Sequence, residues 1–547
     1  MPVWRGPQTM APSRPSRTPR RYLRRRLALA AGVLAAAVAI AVAVVLVAGG
    51  SGPVPPATGA AAIVPADALA YVNLSTDLSR PSVSDARKMA ARFPDWPLLE
   101  TAALNRLRGL VAGPSSADFI TDVRPWLGKE IGLALVADQS GRAQPLAVLD
   151  VARAARARAF VSRAGATPAG SYDGAPLMAY PTGSELAFVG HYLLAGPDAG
   201  VRAAIAAARG RAPALAHNSA YQRAVASEPD DRVLDAYLTA SGIHQLLATR
   251  AGVAGAIGML LDRPALQGAA ISLSATSAGA RVLVHSVFGA GAASTRSFTP
   301  TLQSVLPSGS TLMLDVGGLG KAAPGLLSAA ATAGIAGNVG PLLRRVGSAL
   351  TAQGINVKRV VSLFDGETAV AISPQPNPAL LIVSRVRDEA AARSELAALE
   401  GPVTALFSPS ASGSAGGQVP ELADRVIGGA TVHEVGLGPG LQLDYAVFNG
   451  LVVVSTSLSA IDGVSQRSHA LATDAAYRAT LPDQPSRLSS LVFGDVRQLL
   501  QLGEQTGLTS GAGTRALMPD LSKIRAIGLS STSGDRDATT ELNLAIR

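Results

Sequence analysis

The side chains that could do chemistry are few and scattered along this sequence. The chain has no cysteine, which excludes disulfides, thiolate metal sites and cysteine nucleophiles. A helical zinc site needs two histidines about four residues apart, and no two histidines here lie within five residues of each other. The six histidines are His191, His217, His244, His285, His433 and His469. The spacing therefore predicts no metal ligands, and His191 and His285 are expected to be polar residues on a sheet face.

The other catalytic patterns are incomplete. A serine nucleophile elbow requires Gly-x-Ser-x-Gly, which does not occur. The nearest approach to a phosphate-binding loop is Gly317–Lys321, but Ala322 stands where the hydroxyl residue is needed. No motif distinguishes the acids Glu130, Asp230 and Asp231 from solvated surface carboxylates. The sequence thus predicts no catalytic residue and no cofactor, and a site built from scattered residues stays open because triads assemble in space.

The positive charge of the chain is concentrated at its start. Residues 1–26 contain eight arginines and no acid, so they carry +8 of the net +10 and leave +2 for the other 521 residues. The arginines nearest the following apolar stretch are Arg20, Arg21, Arg24, Arg25 and Arg26. Because the rest of the chain is nearly neutral, a nucleic-acid partner is not predicted.

An uncharged segment follows this tail at residues 27–48. Its 22 residues would span about 33 Å as a helix, which matches a bilayer core of about 30 Å. Positions along this predicted membrane anchor are Leu27, Leu34, Ile40, Leu46 and Ala48. The pattern predicts a single transmembrane helix, and a cleaved signal peptide is the alternative, although its apolar core usually runs only about 7–15 residues.

The charge asymmetry predicts an orientation in the plasma membrane. The positive-inside rule places the arginines in the cytoplasm and the residues after the helix outside it. The predicted partners are therefore the lipid bilayer, through the helix, and anionic lipid headgroups, through the arginine tail.

Similar sequence elements recur in the same order along the rest of the chain. Trp126–Val136 resembles Leu363–Ser373, since each is a glycine turn followed by a strand pattern. The best pair is Ala214–Arg232 and Ala470–Arg487. Equivalent positions at a spacing of 256 are Leu215 and Leu471, Tyr221 and Tyr477, and, in the terminal hairpins, Leu273 and Leu529. The tyrosines are expected to place their rings in the core of each copy.

The repeats and the irregular mixture of helices and hairpins predict an α+β fold. We expect one N-terminal transmembrane helix followed by two tandem homologous α+β repeats with largely antiparallel sheets. The predicted boundaries are a cytoplasmic tail at 1–26, the helix at 27–48, a linker at 49–62, repeat 1 at 63–288, a linker at 289–304 and repeat 2 at 305–547.

The first repeat also carries a family resemblance. The residues concerned are Pro65, Asp67, Tyr71, Val72, Phe93 and Pro94, together with the turn Trp126–Gly128. They resemble an uncharacterised bacterial membrane-anchored group, domain-of-unknown-function family three-three-five-two, from about residue 63 to the C-terminus. The resemblance implies a basic tail, one membrane helix and this scaffold, and it implies no activity, ligand or catalytic residue. The composition resembles that of actinobacterial proteins.

Three functions stay open at this point. The first is a single-pass membrane protein with an extracytoplasmic domain that binds or scaffolds an unknown protein or lipid in the cell envelope. The second is lipid or small-molecule binding between the repeats, which the Ala- and Gly-rich helices favour. The third is an extracytoplasmic hydrolase with a site that no motif reveals.

Overall fold

The structure is a computed structural model, and it describes most of the chain after the N-terminal segments. The described residues are 58–111, 119–248, 261–290, 296–319, 357–373, 378–407, 421–438, 441–467, 469–505 and 512–547. The arginine tail, the segment 27–48 and most of the linker 49–62 lie outside them.

The described residues form twenty strands. The first ten, which we call the first half, are β1 (Ala70–Ser75), β2 (Leu127–Ala137), β3 (Ala143–Val151), β4 (Thr167–Tyr172), β5 (Ala175–Ala179), β6 (Ser184–Val189), β7 (Tyr192–Pro197), β8 (Leu234–Thr239), β9 (Leu266–Thr276) and β10 (Gly279–Phe288). The second half comprises β11 (Leu312–Gly317), β12 (Glu367–Ile372), β13 (Leu380–Arg385), β14 (Glu421–Ile427), β15 (Ala430–Gly438), β16 (Leu441–Phe448), β17 (Leu451–Ser455), β18 (Ser490–Asp495), β19 (Ile524–Ser533) and β20 (Asp537–Ile546).

The α-helices lie between these strands. In the first half they are α1 (Pro81–Ala90), α2 (Trp96–Val111), α3 (Ala154–Arg163), α4 (Asp198–Ala208), α5 (Ser219–Val225) and α6 (Ala240–Ile243). In the second half they are α7 (Val357–Ser362), α8 (Glu389–Phe407), α9 (Leu458–Gln466), α10 (Ala475–Thr480), α11 (Val496–Gln505) and α12 (Ala512–Leu521).

All twenty strands belong to one antiparallel sheet. Their spatial order is β4-β5-β6-β7-β3-β2-β1-β8-β9-β10-β20-β19-β18-β11-β12-β13-β17-β16-β15-β14. The order on one side of the β10–β20 pair mirrors the order on the other side. Each strand of the first half therefore has a counterpart at the same place in the second half.

The β10–β20 pair, which we call the seam, joins the two halves. Its register runs from Gly279 opposite Ala545 to Val287 opposite Asp537. Leu283 on β10 pairs with Glu541 on β20. On their other sides, Leu283 pairs with Ser272 on β9 and Glu541 pairs with Ser530 on β19. The Leu283–Glu541 pair is therefore the point about which the two halves mirror each other. Hydrogen bonds across the seam thus pair the backbone groups of two strands that would otherwise be exposed edges.

The predicted fold class is wrong. The sequence predicted a transmembrane helix followed by two tandem α+β repeats with largely antiparallel sheets, whereas one continuous antiparallel sheet crosses both repeats through the seam. The segment 27–48 lies outside the described residues, and in the part of the chain that the structure describes no helix is long and apolar enough to cross a membrane. The domain boundaries at 63–288 and 305–547 stay predictions.

The terminal hairpins also correct one pair of equivalent residues. Leu273 lies opposite Leu234 on β8, and the residue at the matching place on β18 is Ser490, which faces Ser531. The counterpart of Leu273 is therefore Ser531 instead of Leu529. A shift of two residues keeps the same side chains on the same face of a strand, so the apolar pattern fits both alignments.

Helices cover both faces of the sheet in the first half. Leu74 on β1 packs with Val83 and Ala86 of α1 on one face, and Tyr71 packs with Val201 of α4 on the other. This two-sided burial explains why β1 is apolar at successive positions instead of alternating.

The seam generates a test of cooperativity. A Cβ built on Gly279 would lie 1.9 Å from the backbone oxygen of Leu544, so Gly279→Ala should destabilise the fold by about 1–3 kcal/mol through overpacking. Chemical denaturation of the full chain measures this change. The control is Gly109→Ala on α2, where no atom lies within 4 Å of the added Cβ. Equal unfolding midpoints for both variants would contradict the role of the seam.

Candidate ligand-binding cleft

A buried glutamate organises the start of each half. On β2, Glu130 accepts a hydrogen bond from the Ala60 amide at 3.2 Å and one from the Tyr192 hydroxyl at 2.5 Å. Burial is the main cause that raises the pKa of Glu130, and these two hydrogen bonds oppose it. The acid is 1% exposed, so Glu130, which no sequence motif distinguished from solvated surface carboxylates, is a buried residue.

Glu367 plays the same part on β12. Its carboxylate accepts hydrogen bonds from the Leu302 amide at 2.8 Å, from the Thr301 hydroxyl at 2.5 Å and from the Thr301 amide. These donors lie at the start of the short 3₁₀ turn Leu302–Ser304, where amides lack partners within the turn. Glu367 therefore fixes the end of the linker to the second half.

A cavity of about 900 Å³ opens beside Glu367. The lining residues that matter here are Arg296, Phe298, Gly317, Glu367, Arg385 and Arg387, and we call this cavity the linker cleft. They come from the linker, the end of β11, the start of β12 and the end of β13. The cleft therefore exists only when the linker is folded against the second half.

Backbone pairing holds the linker wall in place. Phe298 forms an isolated β-bridge with Leu488, with N–H to oxygen distances of 2.7 and 2.8 Å in the two directions. Arg487 adds two hydrogen bonds to the Ser297 hydroxyl, at 2.7 and 3.1 Å. A Cβ on Gly317 would lie 3.2 Å from the Phe298 ring, so this glycine lets the ring lie close to the end of β11.

Arg385 connects the buried glutamate to the cleft. Its Nε donates to Glu367 Oε2 at 3.2 Å and to the Thr301 hydroxyl at 2.6 Å. The Arg385 side chain is 42% exposed, whereas the Glu367 side chain is 5% exposed. Within the described residues its two terminal nitrogens have no partner, and they are free to bind a ligand.

Two further arginines line the same cleft. Arg296 donates to the backbone oxygen of Asp365 at 3.2 Å, and in the described parts of the chain Arg387 has no hydrogen bond or ion pair. The acids Asp365, Asp388 and Glu395 also line the cleft, and Asp388 accepts a hydrogen bond at 2.9 Å from the Ala391 amide in the first turn of α8. With Glu367, four acids and three arginines line the cleft, so its positive charge is local to the end of β13, at Arg385 and Arg387.

A second acid lies beneath Glu367. Asp315 on β11 is fully buried, and its pKa is raised to about 9, mainly by burial and then by the negative charge of Glu367. Asp315 therefore carries a proton at neutral pH. A hydrolase needs an acid or base within reach of a substrate, and neither carboxyl meets this need, because Asp315 is enclosed and Glu367 is occupied by Thr301, Leu302 and Arg385.

The equivalent place in the first half has the opposite charge. Asp150 lies opposite Tyr192 on β7, as Arg385 lies opposite Leu451 on β17. The Asp150 carboxylate accepts from the Lys129 amide at 2.6 Å. A Cβ on Gly128 would lie 2.1 Å from Asp150, so this carboxylate fills the space. The guanidinium of Arg385 therefore has no cationic counterpart at this place in the first half.

The residues predicted from the repeat lie elsewhere. Leu215 and Leu471 are fully buried, and each begins a 3₁₀ turn. Tyr221 on α5 and Tyr477 on α10 are buried in the cores of the two halves. None of these four lines the linker cleft. The predicted anchor positions and the basic flank lie outside the described residues.

The histidines take no part in the cleft. His191 lies in the turn between β6 and β7 instead of on a sheet face, and the Nδ1 of His285 lies 2.9 Å from the Thr539 hydroxyl across the seam. In the part of the chain that the structure describes, no group of His, Asp and Glu could hold a metal ion.

The sequence did not identify Glu367, Asp315 and Arg385 as site residues. One signal could have found the glutamates, because Glu130 and Glu367 both follow a glycine turn in the matched segments. Nothing in the sequence distinguishes Arg385 from a surface arginine.

The protonated state of Asp315 gives a prediction about pH. Its pKa rises from 3.8 to about 9 on folding, so the folded chain keeps a proton that the unfolded chain releases between these values. Stability from this group is therefore present at low pH and lost as pH rises through that window. In the Asp315→Asn variant, the free energy of unfolding should fall less steeply with rising pH, by about 1.4 kcal/mol per pH unit. Chemical denaturation at several pH values across the window measures this slope.

The first half supplies the matched control. Asn73 on β1 is the counterpart of Asp315 on β11. Asn73 lies two residues before Ser75, which pairs with Glu130, and Asp315 lies two residues before Gly317, which pairs with Glu367. Asn73→Asp should therefore make the pH dependence steeper, since it adds a buried acid beside Asp235. An Asp315→Asn variant with the slope of the unaltered chain would show that Asp315 is ionised when buried.

Among solved structures, crystal form III of TP0453 is 11% identical with a TM-score of 0.25, covering 42% of this chain and 79% of that chain. Crystal form I of TP0453 is 10% identical with a TM-score of 0.25, covering 43% and 80%. TM-scores this low support no inference about this chain, and no curated protein matches it. The resemblance noted at Pro65 and Tyr71 is confirmed: a family model described as a protein of unknown function (DUF3352) matches residues 28–547, and the chain belongs to that family.

Proposed function

We propose that this chain is an extracytoplasmic binding protein of the cell envelope, and that its linker cleft takes a ligand with an anionic group and an apolar part. The observation that carries this proposal is the pair of arginines, Arg385 and Arg387, whose terminal nitrogens face a cavity beside the Phe298 ring.

The size and lining of the cleft support this ligand class. A volume of about 900 Å³ falls within the range of about 300–1,000 Å³ in which proteins bind small molecules. Phe298, Leu363, Val386 and Ala392 give one side an apolar lining. A guanidinium group binds carboxylate or phosphate oxygens through paired N–H donors, so the headgroup of the ligand would lie at Arg385 and Arg387.

The cellular location is part of the proposal. The eight arginines before the uncharged segment 27–48 favour a cytoplasmic tail, association of that segment with the plasma membrane, and a fold outside the cytoplasm. The bilayer and its anionic headgroups are then permanent partners, and the ligand of the cleft is an envelope lipid or another amphiphile. The cleft lies between the linker and the second half, so the earlier idea of a site between the repeats is replaced.

The first test addresses the ligand. Arg387→Gln should weaken the binding of dodecyl phosphate at least about tenfold, because a hydrogen bond to a charged group contributes about 1.5–3 kcal/mol. Isothermal titration of the full chain below the micellar concentration of the ligand measures the dissociation constant. The fold should be unaffected, since Arg387 makes no ion pair with any described residue.

A matched control separates the cleft from general attraction to anions. Arg156 lies exposed on α3, far along the chain from the cleft, and it also makes no ion pair with any described residue. Arg156→Gln should leave the affinity unchanged. Equal losses in both variants, or binding of dodecyl trimethylammonium as strong as that of dodecyl phosphate, would refute an anion site in the cleft.

The second test addresses the location. Alkaline phosphatase folds actively only outside the cytoplasm, so its fusion after residue 60 should give active enzyme. A fusion at residue 20, before the apolar segment, is the control and should be inactive. Activity of the second fusion without activity of the first would reverse the proposed orientation.

A further inference from the structure

A group of exposed leucines lies where the two halves meet, at one end of the seam strands. Leu98 and Leu99 on α2 are 71% and 40% exposed, and Leu517 on α12 is 48% exposed. We propose that this surface, which we call the seam patch, rests against the outer leaflet of the membrane that carries the protein. The proposal relies on the membrane location argued above and not on the linker cleft.

The seam patch contains residues of both halves. The Asp95 amide, just before α2, donates to Asp520 on α12 at 3.3 Å. Leu98 follows Asp95 by three residues and Leu517 precedes Asp520 by three residues, so each leucine lies about one helical turn, roughly 5 Å, from this contact. Large apolar side chains exposed from both halves beside one contact form a candidate contact site.

The chain enters the fold at the same end of the strands. The first described turn, Gly59–Ala62, is held by Glu130, which lies opposite Ser75 at the end of β1. Following the register from Leu74 through Leu234 to Leu273 leads to the β9–β10 turn. Ser277 in this turn accepts a hydrogen bond from Arg92, between α1 and α2, at 3.4 Å. The entry point and the seam patch therefore lie at the same end of the strands, on opposite faces of the sheet.

The length of the segment between residues 48 and 58 limits how far this end of the strands can be from the membrane. Nine residues, 49–57, lie between Ala48, the end of the uncharged segment, and Thr58, where the described fold begins, so these two residues are ten Cα–Cα steps apart. Fully extended, they span at most about 36 Å. A membrane-associated segment 27–48 would therefore keep this end of the strands within that distance of the bilayer.

Charges around the leucines favour lipid headgroups over a purely apolar partner. The basic residues near the seam patch are Arg92, Lys523 and Arg547, the last two joined by a backbone hydrogen bond of 2.9 Å. Lys88 is paired with Asp85 at 3.4 Å, and Glu100 follows Leu99 on α2. The acids Asp95 and Asp520 contact each other within the patch, and burial is the main cause that raises the pKa of Asp520. Leucines bordered by basic side chains are typical of surfaces that lie at the interface of an anionic bilayer.

The absence of cysteine makes a site-specific test direct. Leu98→Cys and Leu517→Cys each give a single thiol for an environment-sensitive fluorophore in the full chain. The matched control is Val426→Cys on β14, an equally apolar position that is 76% exposed at the far end of the sheet. The labelled proteins are reconstituted into phosphatidylglycerol–phosphatidylcholine vesicles with and without brominated acyl chains, and flotation of the vesicles reports membrane association.

The expected result is a blue shift and bromine quenching at positions 98 and 517, with neither at position 426. Protein that floats but shows no quenching at 98 and 517, or equal quenching at all three positions, overturns the seam patch and leaves the membrane location standing. Protein that does not float overturns the location and the seam patch together. Protection of position 98 only after addition of an envelope protein fraction identifies a protein partner and also overturns the proposal.

Discussion

The pairing of β10 with β20 is the interaction on which the rest of the structure depends. Each of these strands ends its own half, and without the other it would expose a row of unpaired backbone groups from Gly279 to Val287 or from Asp537 to Ala545. Their pairing joins two ten-strand arrangements into one sheet. It also brings α2 and α12 into contact at one end, and at the other end the Phe288 amide donates to Arg536 where the linker begins.

The linker then converts this architecture into a cleft. Its path along the second half is fixed by the Phe298–Leu488 bridge and by the carboxylate of Glu367. The buried acid has a cost in desolvation, which its amide, hydroxyl and guanidinium donors offset. Because Arg385 is held by the same carboxylate, one interaction orders both the linker wall and the cationic group that faces the ligand.

Local features could be predicted from the sequence, and long-range ones could not. The spacing of Leu215 and Tyr221 from Leu471 and Tyr477 reflects matching turns and helices, because short apolar patterns encode local structure. The seam depends on pairing between strands that start 258 residues apart, as Gly279 and Asp537 do, and apolar alternation does not specify a partner. The cleft combines side chains from four segments, none of which carries a motif.

The two halves differ in charge where the cleft lies. Asp150 and Arg385 occupy equivalent places, and the change of sign alters what each place can bind. The glutamates that fix the start of each half are shared, since both perform the same structural task. The family model that matches this chain covers both halves.

Native-state hydrogen exchange of the amides of β10 and β20 tests the single continuous sheet most directly. The account predicts that these amides are protected as strongly as those of the central strands β1 and β11, because opening the seam requires unfolding of the sheet that both halves share. Rapid exchange in β10 and β20, at the rates of the outermost strands β4 and β14, would contradict it and would mean that the halves are separate units.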